Sequence, residues 1–348
     1  MPALDRPFSY SQFSCFLRCP KLWWYRYVLG LMSIRPSVAL YTGSLVDAGL
    51  EGALIGREED TIATCAQLST MAIDEAYQAW AEGPGVSQAL AMSSEFQAES
   101  ELTLLTAVDV AKRVVTDLEL DTSKWETMRD KDGKLGVQYE IRHTLRAHEH
   151  GFIGFLDWVP RAKNSGVWMV DLKVRKAFDD DEALGYDYQL SSYQYAAGDA
   201  FGRIAGVAHY QTKSKPTTPP KLTKKGALSR MKSQSCDWPT YLDTIQRLGL
   251  NPADYAEMED KLPKFERWTW TRRSRTELAN TWEGIELLAE RVVEAHHDPR
   301  PQPRVLNPTI CRTCDMRHLC MAELKGHDVA HIRGTLYQIR SDYEPTPN

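Results

Sequence analysis

Residues Gly151 to Val174, GFIGFLDWVPRAKNSGVWMVDLKV, constrain this chain more than any other stretch. Phe152, Phe155 and Val159, then Val167, Met169, Val170 and Val174, give two runs with the β-branched and apolar content of strands. Arg161 to Gly166, with its Asn-Ser-Gly, predicts the turn between them. Side chains alternate along a strand, so Asp171 and Lys173 point to one face. A hairpin would bring Asp157 beside them. Two carboxylates and a lysine on one sheet face make a poor core and a good divalent-cation site. The plain alternative is a solvated sheet face, since D-x-K alone arises often by chance.

The rest of the chain has to be compatible with that hairpin. At 348 residues with 43% hydrophobic and 26% charged, it has room for one large or two small domains of soluble composition. No apolar run reaches the roughly 20 residues of a membrane span, and MPALDRPFSYSQF lacks the pattern of a secretory signal. A cytoplasmic, reducing setting is expected. The net charge of −5 argues against a uniformly basic nucleic-acid binder. No G-x-x-x-x-G-K-[ST] phosphate loop occurs in the sequence, so a helicase-nuclease fusion is not expected.

Before the hairpin the pattern is helical. Residues 8–31 predict an aromatic-rich helix interrupted at Cys19-Pro20. Residues 43–55 predict a second, with Asp47 and Glu51 as an i,i+4 pair. Residues 61–81 and 95–120 predict longer ones joined at Gly83 to Gly85. Val137, Tyr139, Ile141 and Leu145 then alternate as a strand. After the hairpin come an acidic loop at 176–185, a helix over 186–201 and a strand over 203–213. The core order is helix, three strands, helix, strand, around a central mixed sheet in an α/β fold. Six segments result: 1–60 N-terminal helices, 61–130 a helical subdomain, 131–212 the core, 213–275 a basic insertion, 276–325 a helix with a cysteine cluster, and 326–348 a tail.

Hydrolysis of a phosphodiester needs an activated water and neutralised phosphate charge. A Mg²⁺ or Mn²⁺ ion supplies both, and takes a few carboxylate oxygens plus waters. Asp157, Asp171 and the backbone carbonyl of Leu172 are the candidate ligands, and Lys173 the group that would orient water or offset charge. Gln189 and Tyr193, four apart on the following helix, share a face that can reach the same point.

Asp157, then Asp171-x-Lys173, then Gln189-Leu190-x-x-Tyr193 resembles the PD-(D/E)xK nuclease superfamily in its RecB-like branch. SYSQFSCFLRCPKLWWYRYV resembles that branch's opening segment, and Cys311-x2-Cys314-x5-Cys320 the cluster of AddB-type and CRISPR-associated RecB-like exonucleases. The resemblance runs from about Ser9 to Cys320, leaving out much of 61–130 and the insertion at 213–262. It implies a restriction-endonuclease-like core, catalytic Asp157, Asp171, Lys173, Gln189 and Tyr193, and a metal ligand on the Gly43–Asp47 helix. The family carries histidine there; this chain has Asp47, which can still take a hard cation. Glu140 matches a further acidic position.

Among the seven cysteines, three crowd near the C-terminus, which in a reducing compartment reads as metal ligation. The resemblance implies that Cys19, Cys311, Cys314 and Cys320 hold a [4Fe-4S] cluster. Spacing alone also allows Zn²⁺, with His318 inside the run as a local ligand. Cys15 reads as a buried thiol, Cys65 and Cys236 as structural ones. Residues 213–235 hold Lys/Arg and no acid, and KFERWTWTRRSR follows, so Lys221, Lys224, Lys225, Arg230, Arg272 and Arg273 are candidate DNA contacts. Trp268 and Trp270 would share one strand face and stack on bases. The expected partner is DNA, single-stranded or at ends, with no membrane; a homo-oligomer or a recombination-protein partner stays open. The expected function is a metal-dependent DNA exonuclease in recombination, repair or phage DNA processing. The rivals are a non-catalytic DNA-end-binding subunit of the same fold and a CRISPR-adaptation nuclease.

Overall fold

The structure is a computed structural model and describes residues 4–34, 38–58, 63–83, 86–120, 124–162, 166–224 and 226–340. Part of the expected turn before Gly166, part of the Gly83–Gly85 link, Lys225 and residues 341–348 lie outside them. Among the described residues no helix is long and apolar enough to cross a membrane.

The N-terminal segment is a chain of short elements. Strand β1 (Phe8–Ser9) leads into α1 (Tyr10–Arg18), which Ser9 caps by accepting from the Gln12 amide. The helix breaks at Cys19, whose extended backbone precedes Pro20 at the first position of α2 (Pro20–Trp23). A π-helical turn, Trp24–Val28, and strand β2 (Leu31–Ser33) follow. Then come α3 (Val38–Glu58), α4 (Cys65–Ala81), α5 (Val86–Met92) and α6 (Ser94–Asp117). Helix α3 lies against α4 with almost no space: a Cβ on Gly52 would stand 2.4 Å from that of Ala72.

Among the described residues the sheet has eight strands: β1, β3 (Trp125–Thr127), β4 (Val137–Leu145), β5 (His148–Trp158), β6 (Pro160–Ala162), β7 (Gly166–Arg175), β8 (Ile204–Lys213) and β9 (Glu266–Thr271). It is mixed. β7 and β8 run parallel through Asp171↔His209 and Lys173↔Gln211, while β4–β5 and β8–β9 are antiparallel. Helices α7 (Asp181–Gly185) and α8 (Tyr188–Phe201) make the crossover between β7 and β8.

The simple hairpin expected of Gly151–Val174 is corrected. β5 pairs along its length with β4 and meets β7 only at Trp158↔Val170. The two strands fork for a physical reason. β1 takes the free edge of β5 at Phe152 and Ile153, and β6, opening on Pro160, takes over pairing with β7.

Helices cover both faces. Val167 and Met169 of β7 join Leu190, Tyr193 and Ala197 of α8 in one core, with α1 and Ile285 and Ala289 of α10 (Arg275–His297). Trp168, Val170 and Leu172 face the other core, with α3, α4 and α6. Between β8 and β9 the insertion builds a small core of its own from Leu228, Tyr241, Ile245, Tyr255 and Met258. It contains α9 (Trp238–Arg247) and a 3-10 turn at Pro252–Met258.

The C-terminal part folds back on the start. After α11 (Pro308–Arg312) and α12 (Arg317–Leu324), the stretch read as a tail forms α13 (Ala330–Leu336) and strand β10 (Tyr337–Ile339), which pairs with β2. Lys21 Nζ reaches Glu323 at 2.8 Å, Arg26 reaches Asp315 at 2.8 Å, and Tyr25 donates to Glu323.

Candidate active site

The fork positions the central carboxylates. Below Trp158↔Val170 the Leu172 N–H has no strand partner on its β5 side, and Asp157 Oδ2 accepts from it at 2.8 Å. A residue's N–H and C=O leave a strand toward the same edge, so the Leu172 carbonyl opens into the fork as well. Asp171 is 6% exposed, and its Oδ1 takes Lys173 Nζ at 2.7 Å. Its Oδ2 is buried with no partner. Such an orphaned oxygen is costly unless something positive meets it.

Asp47 joins from the opposite helix layer, since α3 lies against both β4 and β7. Burial, then the Asp157 and Asp171 charges, push its carboxyl well above the usual range, against the pull of Lys173. Asp157 is raised as well, by burial and then Asp171, while Lys173 and the Leu172 amide oppose. Burial works against the Lys173 charge, but Asp171, Asp157 and Asp47 outweigh it and hold the ammonium. The cluster therefore carries more negative charge than one lysine balances.

On α8, which the Asp187 side chain caps, Gln189 lies one turn before Tyr193 and favours the charged form of its phenol. Burial raises that phenol, and it feels Lys173, Asp157 and Asp171. The Tyr193 ring fits because residue 154 is glycine: a Cβ there would sit 2.7 Å from Tyr193 Cε1.

Asp47, Asp157, Asp171, Leu172, Lys173, Gln189 and Tyr193 are thus brought to one place. Glu140 is not; it pairs with Arg142 at 2.6 Å. Sequence reasoning missed two neighbours. His209 is 1% exposed, sits beside Asp171 in the parallel register, and approaches Thr271 Oγ1 at 3.4 Å. Tyr10 stands by Asp187 and Tyr193, which with burial raise its phenol. Their signal was faint: a lone histidine in an apolar strand, and a tyrosine next to a cap.

The basic candidates divide. Lys221 and Lys224 are exposed on a hairpin of the insertion closed by Leu222↔Leu228. Arg230 is engaged with Glu257 at 2.6 Å and the Asp254 carbonyl at 2.7 Å. Arg272 lies 5.2 Å over Trp168, and Arg273 donates to the Leu184 carbonyl at 3.2 Å. Trp268 and Trp270 do stack, at 5.1 Å, with Trp125 against both.

Cys19, Cys311, Cys314 and Cys320, all free thiols, line one small concavity of about 30 Å³ together with Leu22 and Met316. His318 does not line it. Cys15 is buried, its thiol pushed up to about 11 by that burial. Among the described residues, no three His, Cys, Asp or Glu side chains already converge as a cage for a metal ion. Four thiols lining one concavity are a donor set that suits either an iron-sulfur group or Zn²⁺. For the carboxylates the fit to a hard cation rests on the orphaned Asp171 oxygen and the surplus of negative charge.

A sequence profile of the PD-(D/E)XK nuclease superfamily matches residues 7–321. No curated protein matches the chain. Among solved structures, that of a "Putative exonuclease" from Eubacterium rectale is similar at 13% identity and a TM-score of 0.49, over 89% of each chain.

Proposed function

The chain belongs to the PD-(D/E)XK nuclease superfamily, and on that premise we propose that it is a metal-dependent DNA exonuclease of the RecB-like branch, working on single-stranded or frayed ends in recombination, repair or phage DNA processing. The observation that carries metal dependence is the buried, unpartnered Asp171 Oδ2 among three carboxylates and one lysine. Asp157, Asp171, Asp47 and the Leu172 carbonyl would hold a Mg²⁺ or Mn²⁺ ion. That ion supplies charge neutralisation on the phosphate and acidification of a water. Lys173, kept protonated by its carboxylates, orients that water and offsets charge on the phosphate oxygens. Tyr193 closes the site on the α8 side, one turn from Gln189, with a phenol that burial keeps protonated. Hydrolysis adds water across one P–O bond, and the departing oxygen leaves as an alcohol.

We further assign Cys19, Cys311, Cys314 and Cys320 to a [4Fe-4S] cluster that staples the chain ends. Their shared concavity, and the Lys21–Glu323 and Arg26–Asp315 pairs beside it, support this. Asp47 in place of the family's histidine favours one rival, a non-catalytic subunit that binds DNA ends.

The test is digestion of end-labelled linear and circular single-stranded DNA with Mg²⁺ or Mn²⁺. Linear DNA should be degraded and circular DNA spared. Asp171→Asn should lower the rate by at least about a hundredfold, the scale of losing a central electrostatic group. Binding without any cleavage would select the non-catalytic reading. Equal cleavage by the variant would refute the assigned site.

A further inference from the structure

The segment from Lys176 to Asp187, between β7 and α8, crosses the sheet beside the carboxylate cluster. Beneath it the strands line up in rows. Asp171, His209 and Thr269 form one row on the face of the cluster, and Lys173, Gln211 and Arg267 form the next. Neighbouring strands are about 4.8 Å apart, so Arg267 stands roughly 10 Å from Lys173 along its row. Arg175 extends the face one residue pair beyond Lys173.

The crossing segment meets this basic ledge with carboxylates. Asp179 Oδ2 accepts from Arg175 Nε at 2.9 Å. Asp181 takes both Arg267 and Thr269, the hydroxyl donating at 2.8 Å. The Asp179 amide donates to Gln211 Oε1 at 2.7 Å. The Gln211 side chain is fully buried, yet its amide nitrogen has no partner. A guanidinium and a hydroxyl on the Asp181 oxygen, with a second guanidinium on Asp179 and an unpartnered Gln211 amide donor in the row between them, are groups that bind phosphate oxygens. The carboxylates that fill it are weakly held. The side chains of Asp179 and Asp181 are 38% and 67% exposed, and exposed ion pairs contribute only about 0–1 kcal/mol.

We propose that Arg175, Gln211, Arg267 and Thr269 form a second phosphodiester site beside Lys173, and that the carboxylates of Asp179 and Asp181 hold it until a DNA strand displaces them. The proposal rests on the nuclease reading above. It makes the crossing segment a stand-in for substrate that a bound strand must push aside, so affinity is reduced by an internal competitor.

The test is fluorescence anisotropy of a labelled single-stranded oligonucleotide over a salt series, without added metal. Asp179→Asn/Asp181→Asn should bind about three- to tenfold tighter, with a log K against log salt slope steeper by about one. Arg267→Ala should bind more weakly, with a slope shallower by about one. Both substitutions fall on exposed or half-exposed side chains, and melting curves check that each variant folds. If the wild-type chain binds DNA but the double variant is no tighter, or Arg267→Ala changes neither affinity nor slope, this proposal falls and the nuclease reading stands. If the wild-type chain neither binds nor cuts DNA, both fall.

Discussion

Gly154→Ala is the change in which fold and site are most directly coupled. Residue 154 lies on β5 under the Tyr193 ring, and a Cβ there would stand 2.7 Å from Cε1 and 2.8 Å from Cζ. The other close atom, Ile141 Cδ1 at 3.2 Å, ends a flexible side chain and can move. The tyrosine has less room: it is 7% exposed and packs edge-on against Phe152 at 6.0 Å. Overpacking of this kind costs about 1–3 kcal/mol. With an unfolding entropy of about 2.1 cal/mol/K per residue, that lowers the melting temperature of a chain this size by roughly 1.5–4 °C. The displaced phenol would also leave the neighbourhood of Lys173 and Asp157, so activity should fall with stability. A double-mutant cycle isolates the cause. Tyr193→Ala is costly alone, about 3–5 kcal/mol for an emptied aromatic site, but in that background Gly154→Ala should cost almost nothing further. Urea melts of the four proteins measure the coupling, expected at about 1–3 kcal/mol. Full stability of Gly154→Ala, or the same cost with and without Tyr193, would refute the argument that glycine is there to seat the ring.

Three further outcomes are expected. Burial, then the neighbouring carboxylates, push the Asp47 and Asp157 carboxyls up to about 7 and about 6, above the ordinary carboxylate value near 4. Their contribution to stability is therefore complete below that ordinary value and is lost as pH rises through 6 and 7. Metal-free protein should melt at lower temperature at pH 8 than at pH 5 through these groups, Mg²⁺ should offset the loss, and Asp47→Asn should flatten the dependence; a dependence unchanged in that variant contradicts the assignment. Anaerobically purified protein should contain iron and sulfide, lost in Cys19→Ser and kept in Cys15→Ala, whereas colourless, zinc-containing protein would rule out the cluster. Arg113 holds Glu266 at 3.1 Å, Asp109 at 2.8 Å and the Lys213 carbonyl at 2.7 Å, with Glu266 raised to about 7 by burial. Arg113→Met should cost about 3–5 kcal/mol by stranding that carboxylate, and adding Glu266→Met should restore most of it in urea melts.

Much of this arrangement could be read along the chain. Strand alternation puts Asp171 and Lys173 on one face, and helical spacing puts Gln189 and Tyr193 on another; both hold in the structure because such periodicities depend only on backbone geometry. The break at Cys19-Pro20, the shared strand face of Trp268 and Trp270, and the crossover order of strand, helix, strand were legible for the same reason. Which strand pairs with which was not. Direct pairing of the Asp157 and Asp171 strands was expected, whereas β1 and β6 pry them apart and leave the Leu172 amide for Asp157. No local pattern announces that a two-residue strand will claim the edge of β5. The placement of His209 beside Asp171, the approach of Asp47 from the far helix layer, and the capture of Arg230 by Glu257 are likewise matters of non-local register. Composition marks residues as charged but does not tell whether their partner lies within the fold. The chain itself determined the identity and local facing of the groups that could do the chemistry. Tertiary structure decided which of them meet, because strand register and helix packing are set by contacts far apart in sequence, and those contacts open the fork in which the carboxylates gather.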